Sequence, residues 1–321
     1  MHTAVLFLFF NRPDTTRAVF ERIRAARPPR LYLAGDGPRA TRPGEDKIVQ
    51  DLRDWIVSHI DWPCRVFRHF NPTNQGCGHS VSGAITWFFR HEPQGIILED
   101  DCVPHPDFFG YCEQLLKKYR TDCRVWHISG MNPILPEEGH PDTDSYYFTP
   151  FMHCWGWASW ADRWSQYTYD LSDYDPAHLD RISPTPDARR YWRDILARVS
   201  QMDTWDYQWL FQIVARQGLC ICPTRNLISN IGDDGAHIRG NSDALFRRTY
   251  PCLPLKHPAA VAVDLARLSC QERLFSALQH PSRRTSILLF GILPFLKVKT
   301  KRRTTWIYLF GLPLLRLKSD K

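Results

Sequence analysis

The 321-residue chain predicts an α/β fold: a mixed, mostly parallel sheet flanked by helices, with a basic, amphipathic C-terminal tail. Three observations carry that expectation. From Val5 to Leu98, short apolar runs alternate with one-faced helical stretches, the βαβα order of a parallel sheet covered by helices. The run Ile96-Ile97-Leu98 delivers Glu99, Asp100 and Asp101 to its C-terminal end, where open α/β sheets bind ligands. Basic charge is confined to the end of the chain. From Arg283 to Lys321 there are ten Lys/Arg against one acid, which leaves 31 bases and 33 acids elsewhere.

Val5 to Phe10 reads as the first strand. Its apolar run has neither the basic n-region nor the small-residue cleavage site of a signal peptide. Asp14 opens a helix to Ala26, Arg30 to Ala34 is a second strand closed by Gly35-Asp36-Gly37, and Glu45 to Ser58 has helical periodicity. A strand at Cys64–His69, the loop Asn74-Gln75-Gly76-Cys77-Gly78 and a helix from Ser80 to Arg90 lead to the strand that feeds the acids. Beyond it, Pro106-Asp107 starts a helix with Phe108, Cys112, Leu115, Leu116 and Tyr119 on one face, and Val125–Ser129 reads as a strand. Tyr146 to Trp164 is densely aromatic. Pro184–Asp187 reads as a loop, Tyr191–Val199 and Gln208–Gln217 as helices, and Asn230–Asn241 as a Gly/Asp-rich loop.

With 43% hydrophobic residues, the chain has ample material for a core. The near-neutral body argues against nucleic-acid binding, which needs a basic face within the fold. Without a secretory signal, the ten cysteines are expected as reduced thiols, and Cys220-x-Cys222 lacks the second pair of a zinc site. No run approaches the roughly 20 apolar residues of a spanning helix. The tail holds an internal repeat: Leu289-Phe290-Gly291 through Lys299 is echoed by Leu309-Phe310-Gly311 through Lys318. Apolar segments with basic ends suit an anionic membrane surface. The alternatives are a basic hairpin packed on the domain and an oligomer contact.

Three adjacent carboxylates raise one another's pKa, and a divalent cation with a taste for hard oxygen, Mg²⁺ or Mn²⁺, removes that cost. A solvated acidic turn is the plainer reading. Arg12, after the first strand, is placed to meet a phosphate; Asp36, after the second, to accept from a nucleobase or ribose. Asn74 heads the loop that lets backbone approach a ligand. Asp206 in Asp203-Thr204-Trp205-Asp206 is the candidate general base, with Asp203 as its competitor and a helix N-cap as the alternative role. His237 is a candidate metal or phosphate contact.

Leu98-Glu99-Asp100-Asp101 followed by Pro106-Asp107-Phe108-Phe109 resembles the Glu-Asp-Asp region of GT-A-fold glycosyltransferases. The nearest likeness is to the N-acetylglucosaminyltransferase family that begins complex N-glycan branches. Phe10-Asn11-Arg12, the Asp after strand two, Trp155-Gly156-Trp157 and Trp205-Asp206 extend it over roughly residues 3–240. The resemblance implies that Asp101 is the direct Mn²⁺ ligand, that Glu99 and Asp100 contact the sugar or ribose, and that Arg12 binds diphosphate. It further implies that Asp36 contacts the nucleobase and that Asp206 is the base of an inverting enzyme. Where that family has Trp-Asp-Asp-Trp, this chain has Trp-Asp-Tyr-Gln-Trp. The N-terminal anchor of the eukaryotic members has no counterpart here. The tail instead resembles bacterial transferases of surface-polysaccharide or lipopolysaccharide assembly, which work at the cytoplasmic face of the membrane on lipid-linked acceptors.

The expectation is therefore a metal-dependent, inverting glycosyltransferase that uses a UDP-sugar donor and a glycan or lipid-linked acceptor. Residues 1–130 would form the nucleotide-sugar half, 131–258 the acceptor half and 259–321 a membrane-association segment of a peripheral cytoplasmic protein. Two rivals remain: a sugar nucleotidyltransferase and a non-catalytic, membrane-peripheral carbohydrate-binding protein.

Overall fold

In the computed structural model the described residues are 1–134, 143–182, 185–232, 248–279, 283–289, 293–301, 304–309 and 312–318. The first strand, β1 (Ala4–Phe9), is buried along its whole length because it is apolar on both faces. Val5, Phe7 and Phe9 point into one core with Val19, Phe20 and Ile23 of helix α1 (Pro13–Ala26). Ala4, Leu6 and Leu8 point into a second core on the opposite face. Next come β2 (Arg30–Gly35), α2 (Glu45–Ser58), β3 (Arg65–Phe70), α3 (Cys77–His91) and β4 (Gln94–Glu99). These strands run parallel in the order β3-β2-β1-β4. α1 and α2 cover the first face, whereas α3 places Ala84, Ile85 and Phe88 on the second. The crossover direction thus reverses between β1 and β4, the position at which doubly wound sheets open a ligand crevice.

The chain continues through β5 (Cys102–Pro104), α4 (Asp107–Lys118), β6 (Val125–Ser129), β7 (Tyr146–Thr149), β8 (Trp157–Trp160), α5 (Ala161–Trp164), α6 (Pro186–Leu196), α7 (Asp206–Ala215), β9 (Leu219–Pro223) and β10 (Ile228–Asn230). The sheet extends from β4 as β8-β6-β9-β7, with β8 and β7 antiparallel to their neighbours. β5 and β10 form a separate antiparallel pair. The expected α/β architecture with a mixed, mostly parallel sheet is what the chain adopts.

Several boundaries differ from expectation. The aromatic stretch Tyr146–Trp164 contains two buried strands, β7 and β8, that carry apolar residues on both faces and so show no alternation to read. α6 starts at Pro186, five residues early, because Thr185 caps it through Ala188 N–H and proline suits its first turn. α3 starts at Cys77 because its cap comes from far away in the sequence, as described below.

Helix α8 (Leu265–Gln279) precedes a four-stranded antiparallel sheet of β11 (Arg283–Leu289), β12 (Leu293–Lys301), β13 (Thr304–Leu309) and β14 (Leu312–Lys318). This sheet accounts for the internal repeat. In each copy the opening Leu ends one strand and pairs with the start of the next, Leu289 with Leu293 and Leu309 with Leu312. Among the described residues, no helix is long and apolar enough to cross a membrane.

Candidate functional site

The C-terminal ends of β1, β2 and β4 open onto a cleft of about 580 Å³, lined among others by Arg12, Asp36, Arg39, Asn74, Glu99 and Asp100. The turn after β1 is tight, since Pro13 already occupies the first helical position of α1. This brings Arg12 back over the strand ends, where its guanidinium donates to Asp100 and, at 3.0 Å, to Asp101. Asp100 also accepts from Phe10 N–H at 3.4 Å and from the Thr16 hydroxyl at 3.4 Å.

One guanidinium faces three carboxyls, so the cluster is under-neutralised. Burial, and then repulsion from Asp101 and Asp100, holds the Glu99 carboxyl well above the usual range. Burial pushes Asp100 up to about 6 against the pull of Arg12. Asp100 and Asp101 are both buried. Among the described residues no three His, Cys, Asp or Glu side chains converge as a metal cage. Mg²⁺ and Mn²⁺ seldom need one: they are commonly held by one or two carboxylates, with phosphate oxygens and waters completing the shell. Asp101 and Asp100, excess negative charge beside a cleft, fit that mode.

The turn carrying the acids is clamped from the far end of the chain. β10 pairs with β5, and Ile231 N–H donates to the Asp101 carbonyl at 2.9 Å. Gly232 then passes so close that a Cβ there would lie 2.3 Å from Asp101 Oδ2 and 3.1 Å from Arg12 Nη1. The start of the Gly/Asp-rich loop therefore lies against the acid cluster, while His237 falls outside the described residues. Asp107, in the Pro-Asp-Phe-Phe sequence, accepts from Cys252 and Leu253 N–H at 2.9 and 3.2 Å, and Phe108 and Phe109 enter the core. That motif is a fastening.

Asp36 sits at the end of β2, where its carboxylate accepts from Asn74 Nδ2 at 2.9 Å, Asn71 Nδ2 at 3.1 Å and the backbone N–H groups of Gln75 and Gly76. A base contact would have to share these oxygens, and the visible role of Asp36 is to hold the loop. Asn74 lines the cleft while tied to Asp36 and to the Gly37 carbonyl. The other end of the loop is held by Asp203, which accepts from Cys77 and Gly78 N–H at 2.9 and 2.7 Å. Asp203 thus caps α3 from across the chain, in place of a local cap; the preceding Gly76 has φ +81° and cannot serve.

Asp206 lies elsewhere. It opens α7, accepts from Thr204 Oγ1 and from Tyr207 N–H at 2.9 Å, and faces a second pocket of about 250 Å³. Cys154 Sγ stands 3.9 Å from Asp206 Oδ2. Burial, then Asp206 and Glu99, push its thiol up; Cys154 lines the second pocket and Glu99 the first. The sequence reading passed over Arg39 and Arg42, which line the first cleft. Their position three and six residues after Asp36 was the available signal. Asp203 as a cap had no local signal.

No protein-family model matches the chain. Similar solved structures include a mannosyltransferase from Pyrobaculum calidifontis in complex with GDP-Man and Mn²⁺, at 13% identity and TM-score 0.36, covering 68% of this chain and 70% of that one. S. aureus TarS 1–349 matches at 9% identity and TM-score 0.39, covering 73% of this chain and 61% of that one. An apo UDP-glucose pyrophosphorylase matches at 8% identity and TM-score 0.35, covering 72% and 94%. At such identities and TM-scores these likenesses do not bear on activity, and the α/β class stands on the strand order.

Proposed function

We propose that this protein is a divalent-metal-dependent glycosyltransferase that moves a sugar from a nucleotide sugar, a UDP-sugar, to a hydroxyl of a glycan or lipid-linked acceptor. One observation carries the reading. Arg12, Asp36 and Asp100 line one cleft at the sheet's switch point, Asp101 adjoins it through its bond to Arg12, and a candidate base, Asp206, stands in a second pocket beside Cys154.

In this reading residues 1–130 form the donor half. Asp101, with Asp100, would hold Mn²⁺, which supplies Lewis-acid neutralisation of the diphosphate leaving group. Arg12 is already balancing carboxylate charge at the cleft, and it exchanges part of that contact for phosphate as the donor enters. Arg39 and Arg42 add positive charge along the wall. The acceptor hydroxyl gives its proton to Asp206 as its oxygen bonds to the anomeric carbon, and the carbon–oxygen bond to phosphate breaks with its electron pair leaving on the nucleotide. Attack from the side opposite the leaving group inverts the anomeric centre.

A sugar nucleotidyltransferase fits less well, because it needs a phosphate-cradling loop after the first strand. Here Phe9 and Pro13 are separated by Phe10-Asn11-Arg12, with no Gly. We further propose that residues 259–321 seat the protein at an anionic inner membrane face, in surface-polysaccharide or lipopolysaccharide synthesis. In the register of β12–β14 the row Val298–Ile307–Leu315 is followed by the row Lys299–Trp306–Arg316, so apolar and basic residues alternate along the strands.

The test is nucleotide release by purified protein from a panel of nucleotide sugars, with Mn²⁺ and with chelator, beside Asp101→Asn. Slow Mn²⁺-dependent hydrolysis of one donor, lost in a folded Asp101→Asn, is expected. Undiminished turnover in that variant would refute the metal role.

A further inference from the structure

The second pocket differs in kind from the first. Its walls are Phe151, Trp155, Tyr191, Trp192 and Tyr207, with Met131 and Met152 filling between them. The Tyr191 and Tyr207 hydroxyls are close enough to influence each other's ionisation. Among the described residues that line it, Asp206 brings the one carboxylate and there is no Lys or Arg. His153 does not replace one: it is half-buried, its Nε2 faces the Gln271 amide nitrogen at 3.2 Å, and desolvation holds its pKa down at about 4. Arg198 acts on Tyr191 without being among the lining residues, and its Nε donates to the Asp194 carbonyl at 3.0 Å. The first cleft, by contrast, carries Arg12, Arg39 and Arg42.

Size narrows the occupant. At about 250 Å³ the pocket lies below the roughly 300–1,000 Å³ of sites that enclose drug-sized ligands, so it takes one ring. Aromatic faces pair with the C–H faces of a pyranose, while tyrosine hydroxyls and a carboxylate serve its hydroxyls. A carboxylate or phosphate on that ring would enter beside Asp206 with no cation among the described lining residues to meet it. Like-charge placement of this kind is an effective rejection device.

Resting on the transferase reading, we infer that this second pocket is the subsite for one uncharged sugar ring, which presents a hydroxyl to Asp206, and that it selects against acidic and phosphorylated sugars. α8 is tied to the pocket's lining through Gln271, which faces His153 Nε2 and also accepts from Thr149 Oγ1 at 2.6 Å and donates to Tyr147 Oη at 3.3 Å.

The experiment is saturation-transfer NMR on the full chain, with UDP and Mn²⁺ present. It compares methyl glucoside, galactoside and mannoside with the matching uronosides and 6-phosphates, and runs the donor-hydrolysis assay in parallel. Neutral glycosides should bind at least about tenfold more tightly than their charged partners, with transfer to ring C–H protons that disappears in Trp155→Ala. Charged partners binding equally well or better would overturn the inference, and so would a failure of every neutral glycoside to bind. The comparison within the unmodified chain stands even if Trp155→Ala does not fold. Intact donor hydrolysis with no discrimination sinks the subsite alone. Discrimination without any metal-dependent hydrolysis sinks the transferase reading and leaves a sugar-binding pocket.

Discussion

Asp203 and Asp206 are three residues apart, and either might be taken for the base; their surroundings assign them different work. Asp203 holds two first-turn N–H groups of α3 at 2.9 and 2.7 Å, whereas Asp206 faces the second pocket. Loss of an N-cap costs about 1 kcal/mol, and a charged acceptor with two bonds raises this to about 2 kcal/mol. In a domain of this size that lowers Tm by roughly 4–8 °C. The cap also steadies the Asn74–Gly78 loop along the donor cleft, so Asp203→Ala should raise donor KM about five- to tenfold and leave kcat within about twofold. Asp203→Asn keeps one of the two acceptors and should recover much of both losses. Asp206→Asn should do the opposite: kcat falls about 10²- to 10⁴-fold with Tm nearly unchanged. The assay is steady-state transfer, or donor hydrolysis where no acceptor is known, with thermal unfolding of each variant. If Asp203→Asn loses kcat as deeply as Asp206→Asn while keeping its Tm, Asp203 is the base and the reasoning fails.

Other consequences can be checked in the same way. Gly232→Ala forces a Cβ to within 2.3 Å of Asp101 Oδ2, so half-saturation by Mn²⁺ should rise about tenfold or more; an unchanged Mn²⁺ titration would show that the Gly232 backbone yields freely. Asp36→Ala frees Asn74, Gln75 and Gly76 together, and the urea midpoint should fall by the equivalent of about 2 kcal/mol with a weaker donor KM. Acid should destabilise the fold through His127 and His153. Trp209 Nε1 donates to His127 Nδ1 at 3.3 Å, which leaves Nε2 to donate to the His153 carbonyl at 3.1 Å, so the ring is held neutral. Burial lowers His127 to about 3 and His153 to about 4. Both folded values lie below the unfolded one, so this stability is complete above about pH 6.5 and is lost as pH falls through 4 to 3. Urea midpoints from pH 7 to pH 4.5 should drop steeply, and less so in His127→Gln; parallel slopes would contradict the assignment.

Much of the first cleft was legible in the sequence because its determinants are local. An apolar run reads as a buried strand, the residue after it lies at the strand's C-terminal end, and parallel topology gathers those ends; the places of Arg12, Asp36 and Asp100 along the cleft follow from that alone. The α2 and β6 boundaries, Glu45–Ser58 and Val125–Ser129, were readable for the same reason, since periodicity and run length lie within each segment. Tertiary structure decided what depends on partners distant in sequence. It made Asp203 the cap of a helix more than a hundred residues earlier, set Gly232 against Asp101, and turned the aromatic stretch into two strands rather than a surface. It also divided the site into a cleft that carries arginines beside its carboxylates, with Glu99 in its wall, and an aromatic pocket lined by Cys154 and Asp206. Side-chain chemistry is written residue by residue, but which groups share a wall depends on long-range packing, and no local pattern encodes it.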